Sequence, residues 1–293
     1  MKNIEYRRSL FMRGVQKILK VFYKIFPKAI YNFFYSVGRR LLWMVHRVFW
    51  KSKFFLSFIY KRSEKDEIKM IKFVDKLLPY TMGGPLALTS TFKVVSMVEE
   101  KKVNGALVEC GVAKGGCGAM MAIASKYFGG DRSIWLFDSF EGLPKPTDED
   151  FNDGRAGEMI GPLREGMLVG KEEQVSELIF NKCQISPNRA RIVKGWFQDT
   201  LPTYKAKIGP IAVLRLDGDW YKSTMCCLKN LYDNVSDGGF VIIDDYATCY
   251  GSERAVTEFL EKQKNEIELV PDGRGGCYFN KCDGSKNGLE RNE

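Results

Sequence analysis

Five short, largely apolar runs, at 106–112, 133–139, 190–196, 210–219 and 239–246, alternate with helix-like stretches along this chain. Strands buried on both faces read this way, because helices cover each side of the sheet they form. Strand–helix alternation therefore predicts an α/β fold with a doubly wound, mostly parallel sheet. Helices are expected at 66–80, 86–102, 117–128, 172–180, 223–235 and 252–263. The stretch EIELVP-DGRGG-CYFNKC reads as two short strands joined by a Gly-rich turn. It adds an antiparallel hairpin and brings the sheet to seven strands. A polar, Gly- and Pro-containing stretch at 141–170 is long for a plain connection and is expected to act as a lid or recognition loop.

At 293 residues the chain holds one such domain, expected at 66–293, plus an appendage. The net charge of +9 is unevenly placed. Residues 1–65 carry 16 Lys and Arg against two acids, Glu5 and Glu64, whereas 66–293 holds 29 basic and 34 acidic residues. A nucleic-acid enzyme gathers positive charge at its active cleft, so no nucleic-acid partner is expected for this acidic domain. The basic segment also holds 16 of the 38 aromatic residues. No stretch of about 18 residues in it is free of charge, which argues against a membrane-spanning helix. No apolar core followed by a small-residue cleavage site marks a secretory signal. Two readings of 1–65 stand. Its helices lie on an anionic membrane surface, or they form an extension packed on the domain or on the partner subunit of a homo-oligomer. We expect the first. The eight cysteines show no zinc spacing and suit reduced cytosolic thiols. The expected location is thus the cytoplasm, peripheral at the inner face of a membrane. The single histidine, His46, lies in the basic segment, so the domain's chemistry has to run without imidazole.

The segment 211–246, IAVLRLDGDWYKSTMCCLKNLYDNVSDGGFVIIDDY, carries the strongest signal of a site. One strand ends in Asp217 and the next in Asp244 and Asp245. A lone strand-end Asp usually caps a helix or closes a turn. Three at the ends of adjacent parallel strands face one crevice, where ligands bind. They repel one another unless a cation sits between them, and a hard divalent cation with oxygen ligands, Mg²⁺ above all, suits the set. Asp219, two residues on, is placed as a supporting partner. Tyr221 and Tyr246 flank the cluster, either as pocket walls or as simple packing.

The first strand runs into GVAKGGCG, with Gly111, Gly115, Gly116 and Gly118. Such a turn lets a ligand approach the backbone, but its spacing is not the dinucleotide fingerprint G-x-G-x-x-G. Asp138 ends the second strand, where a carboxylate can accept both hydroxyls of a ribose. S-adenosylmethionine shares that ribose with the nicotinamide dinucleotides and has no pyrophosphate to cradle. Glu109, just before the turn, either meets the positive end of that cofactor or pairs with a basic residue.

In one order, the motifs LVECGVAKGG, LFDSFEGLP, KGWFQDTLP, LRLDGDWYKSTMCCLKNLY and GGFVIIDDY, preceded by YTMGGPLALTSTFKVV, resemble the macrocin O-methyltransferase (TylF-type) family. The resemblance spans about 70–282. It implies a Rossmann-like methyltransferase fold that methylates a sugar hydroxyl of a glycoside, a polysaccharide or a lipid-linked glycan. It further implies that Asp217, Asp244 and Asp245 bind Mg²⁺, with Asp217 doubling as the base. Glu109, Gly111, Gly115, Gly116, Asp138 and Ser139 would line the S-adenosylmethionine site, with Phe197, Gln198 and Asp199 near it. The 141–170 stretch departs from the family's pattern and bears on the acceptor. Two other classes compete. A nicotinamide-dependent sugar oxidoreductase lacks both its Gly fingerprint and a Tyr-x-x-x-Lys pair here. A non-catalytic membrane-associated scaffold is hard to reconcile with the three intact carboxylates.

Overall fold

The computed structural model describes residues 65–152, 155–156, 163–263 and 267–281, with scattered positions between 21 and 52. Helix α1 (Lys65–Leu77) opens with Asp66 and Glu67 in its first turn and buries Met70, Ile71, Val74 and Leu77. Those acids suit the positive end of the helix dipole. After a 3₁₀ turn at Leu78–Tyr80, α2 (Gly84–Glu100) starts with Pro85 in its first turn, where the missing N–H costs nothing. Strand β1 (Ala106–Cys110), α3 (Gly116–Tyr127) and β2 (Ile134–Asp138) follow. Two-residue strands β3 (Phe151–Asn152) and β4 (Arg155–Ala156) then form a small antiparallel ribbon. Beyond it come α4 (Glu172–Ser176, continued as a π-helical turn Glu177–Lys182), β5 (Ala190–Lys194), α5 (Phe197–Ile208) and β6 (Ile211–Leu216). The last elements are α6 (Tyr221–Leu231), β7 (Val235–Ile243), α7 (Tyr250–Leu260), β8 (Val270–Pro271) and β9 (Cys277–Asn280).

Seven strands form one sheet in the order β5-β2-β1-β6-β7-β9-β8. The five on the β5-to-β7 side are parallel, and β9 pairs antiparallel with both β7 and β8. From β1 the chain winds outward through β2 to β5, then returns to β6 on the other side of β1. That reversal opens a crevice between the carboxyl ends of β1 and β6, where open α/β sheets bind ligands. Helices cover both faces. Residues of α1 to α4 pack into one core with Leu107, Leu136 and Val213. Residues of α5 to α7 pack into the other with Val108, Leu214 and Val241. The expected α/β architecture, with its terminal hairpin, is the observed one.

Three elements differ from expectation. Helix α5 was not expected, and it forms although Pro202 lies inside it and proline removes a helical hydrogen bond. Phe197, Leu201, Tyr204 and Ile208 nevertheless recur at helical spacing and face one core, and that burial outweighs the break. Strand β7 begins at Val235, four residues early, so Gly238 and Gly239 lie inside the strand. The register against β6 shifts there, Ile211 facing Val235 but Val213 facing Phe240, so β7 takes up three extra residues within the strand. The hairpin strands are shorter than the motif suggested.

Most of the expected extension at 1–65, including all of 1–20, lies outside the described residues. Among those described, Ile30, Phe33, Val37, Leu41, Met44 and Val48 have helical backbone and are exposed. Their spacing of three and four puts them on one face of a helix. No helix of the described residues is long and apolar enough to cross a membrane.

Candidate active site

A cavity of about 480 Å³ lies over the carboxyl ends of β1, β2 and β6. The fit between β1 and β6 at its floor is close. Gly111 has φ +92°, and a Cβ there would stand 1.8 Å from the backbone oxygen of Asp217. The Asp217 N–H donates to Cys110 O at 2.8 Å. The absent side chain of Gly111 therefore makes room for Asp217, not for a ligand. Gly116 plays the same part against the preceding segment, since a Cβ on it would meet Tyr80 O at 2.6 Å. That contact seats Tyr80, Thr81, Met82 and Gly83 along the cavity wall.

Asp138 organises the Gly-rich turn. Its Oδ2 accepts from the N–H groups of Val112 (2.7 Å) and Ala113 (2.8 Å), and its Oδ1 from Phe140 N–H (2.7 Å). Three of about four lone-pair positions are thus used by the backbone. This carboxylate is a clasp for the turn first, with room for one further donor rather than two. Ser139 is engaged in the same bend, donating to Gly142 O and accepting from Glu141 N–H.

The sequence reading missed the arginine at the centre of the site. Arg215 lies in mid-β6, in register with Glu109 of β1, and is 1% exposed. Its Nε donates to Glu109 Oε1 at 3.0 Å, and its Nη2 donates to Asp217 Oδ2 (3.0 Å) and Asp244 Oδ1 (2.5 Å). Arg274, in the β8–β9 turn, donates to Asp244 O at 2.8 Å and to Asp244 Oδ2. A charged residue in the buried run IAVLRLDGD needs charged partners, and that signal was present in the sequence. Burial raises the Asp244 carboxyl, but Arg215 and Arg274 outweigh it and hold the group at about 2. Burial, followed by repulsion from Asp244 and Asp245, pushes Asp217 well above the usual carboxylate range. Burial likewise lifts Glu109 to about 8, against the pull of Arg215.

One carboxylate oxygen each from Asp217, Asp244 and Asp245 lies within 4.8 Å of the others. A second trio, Asp219, Asp245 and Cys249, meets the same criterion behind it. There the Cys249 thiol donates to Asp219 at 3.5 Å. Three hard oxygen donors, with Asp217 open to the cavity (29% exposed), fit a small divalent cation. At the β1 end, Glu109 lines the cavity and its Oε2 is buried without a hydrogen-bond partner, which leaves a polar atom for a ligand group to satisfy. Of the expected site residues, Glu109, Gly111, Gly116, Asp138, Ser139, Phe197, Gln198, Asp217, Asp244 and Asp245 line this one cavity, while Gly115 and Asp199 stand outside its lining. Tyr221 and Tyr246 also stand outside it, the Tyr221 hydroxyl donating to Glu258 and Tyr246 being buried in the core. Trp220 takes the wall position instead.

Known proteins are similar to this chain in sequence and in fold. The sequence profile of the macrocin O-methyltransferase (TylF) family matches residues 55–281. Demethyldecarbamoylnovobiocin O-methyltransferase of Streptomyces niveus is 40% identical over 203 residues, 68% of this chain and 75% of that protein. A tetracenomycin methyltransferase of Streptomyces olivaceus, named for 4'-O-methylation of an 8-demethyl-8-(2,3-dimethoxy-α-L-rhamnosyl) compound, is 40% identical over 169 residues, 57% of this chain and 63% of its own. The solved structure of the O-methyltransferase NovP superposes with a TM-score of 0.60 at 38% identity, covering 70% of this chain and 83% of its own. The chain therefore belongs to the macrocin O-methyltransferase family and is an O-methyltransferase with S-adenosylmethionine as its methyl donor.

Proposed function

We propose that this enzyme methylates a sugar hydroxyl of a glycoside, polysaccharide or lipid-linked glycan, and that it requires Mg²⁺. The observation that carries this reading is the meeting of Asp217, Asp244 and Asp245 on the cavity that also contains Glu109 and the Gly-rich turn. The enzyme proper is residues 66–293. Glu109, Asp138 and the amide-rich turn would hold the donor, which supplies a sulfonium methyl group. Asp217, Asp244 and Asp245 would hold Mg²⁺, which lowers the pKa of a coordinated hydroxyl. Asp244 is buried and fixed by two arginines, so its part is positional. Asp217 faces the cavity and is more open to it than Asp244 or Asp245, which places it as the proton acceptor. It would take the hydroxyl proton as the acceptor oxygen bonds to the methyl carbon, and the carbon–sulfur electron pair would leave with sulfur. Asp219, buried with a left-handed backbone (φ 53°), supports Asp245 from behind.

Methyl transfer to a panel of glycosides, sugar nucleotides and lipid-linked glycans, with and without a chelator, tests the reading. Transfer that survives full chelation ends the Mg²⁺ requirement. Titration with S-adenosylmethionine and then NAD tests the donor, and NAD binding alone would reopen the oxidoreductase alternative.

Arg274 should set how tightly the metal binds. Its guanidinium is a like charge beside the cation position, and Asp244 keeps Arg215 when it is removed. Arg274→Gln is expected to tighten Mn²⁺ binding about fivefold or more, measured by electron paramagnetic resonance. Weaker binding would mean that Arg274 chiefly positions Asp244.

The segment 1–65 is proposed to attach the enzyme to an anionic membrane surface. Its 16 cations accompany an exposed apolar stripe running from Ile30 to Val48. Each Lys or Arg near such a surface contributes about 1 kcal/mol, so a third of them suffices for firm attachment. The full chain is expected to sediment with anionic vesicles at low salt, and a truncated chain starting at Asp66 to remain in solution. Equal behaviour of both would return the segment to a packed extension.

A further inference from the structure

The mouth of the cavity carries charge that methyl transfer does not use. Lys145 and Lys222 both line it, both are exposed, and neither makes an ion pair among the described residues. They stand on two segments clasped together. The Trp220 indole N–H donates to Pro144 O at 2.9 Å, and the Tyr221 N–H donates to Asp150 Oδ1 at 2.6 Å. Each lysine is therefore next in sequence to a fixed contact, and both line the same cavity. Buried Asp150 is turned inward, also accepting from Thr147. Of the other acids in that turn, Asp148 is exposed, and Glu149 is shared electrostatically between Lys222 and Arg254. The rim thus keeps cationic groups without a dedicated carboxylate.

A neutral sugar gives two ammonium groups little to bind. An oxyanion with several acceptor oxygens uses both through charge-assisted hydrogen bonds. The geometry points to a phosphate ester beside the methylated sugar: the acceptor is a sugar carried on a phosphate or diphosphate. This rests on the reading of the enzyme as a sugar methyltransferase and narrows its substrate class. The phosphate belongs either to a lipid carrier, which the exposed stripe at 30–48 would bring to the enzyme, or to a nucleotide.

Calorimetry with the full chain, saturated with S-adenosylhomocysteine, tests this with geranyl diphosphate, uridine diphosphate and inorganic pyrophosphate, each with and without Mg²⁺. Lys145→Gln/Lys222→Gln is the variant, and its cofactor affinity reports on folding and on the methyltransferase reading separately. Binding of at least one diphosphate is expected, weakened about tenfold or more in the variant. Tighter binding of geranyl diphosphate assigns the lipid source, and tighter binding of uridine diphosphate the nucleotide. Absence of diphosphate binding overturns the inference. So does binding that survives the double substitution, since it would then come from the metal cluster or from residues 1–65. Either result leaves the methyltransferase reading standing as long as the cofactor binds.

Discussion

Asp217→Asn is expected to slow methyl transfer by about 10²–10⁴-fold, the range for removing a general base, and toward its upper end because a metal ligand is lost as well. The cofactor should bind within a few-fold of wild type. The donor end of the cavity is built from Glu109, the Gly-rich turn and Asp138, none of which is hydrogen-bonded to the Asp217 side chain. Folding should survive, since Arg215 keeps Glu109 and Asp244 as partners. Single-turnover transfer from labelled S-adenosylmethionine, beside a cofactor titration of the same preparation, separates the two effects. A near wild-type rate would remove Asp217 from both of its proposed roles.

Asp138→Ala is expected to raise the S-adenosylmethionine dissociation constant by more than about tenfold, a loss of roughly 1.5–3 kcal/mol. The reason differs from a simple ribose contact. Removing the carboxylate releases the N–H groups of Val112, Ala113 and Phe140 together, so the turn that shapes the donor site loses its clasp. Asp138→Asn keeps a single accepting oxygen and should fall between wild type and Ala. Unchanged affinity in Asp138→Ala would show that the turn holds its shape alone and that the ribose is bound elsewhere. Both variants are measured by calorimetry, with thermal melting to confirm that the sheet is intact.

Much of this was legible in residue order. The alternation of apolar runs and helical stretches gave the doubly wound sheet, and the three strand-end aspartates marked its working edge. What escaped depended on partners distant in sequence. Arg215 looked like one more residue in a strand until Glu109 appeared beside it in register. Arg274 reaches Asp244 from a turn 30 residues away. The glycines of 111–118 were read as space for a ligand, but at Gly111 and Gly116 that space is filled by Asp217 and Tyr80. Sequence alone does not distinguish a glycine that admits a ligand from one that admits another strand. Helix α5 was overlooked, although its apolar spacing was there to be counted.

The contact between Gly111 and Asp217 bears on how such enzymes diversify. Because the chain leaving β1 rests directly on the chain leaving β6, the distance from the Gly-rich turn to Asp217 is set by the sheet itself. If 141–170 recognises the acceptor, as expected from its sequence, that loop is free to vary without retuning the chemistry, and a graft of it between relatives should carry substrate preference while leaving the rate of the chemical step nearly constant. The same rigidity makes Gly111 a position where variation is closed off, however freely the mouth of the cavity drifts.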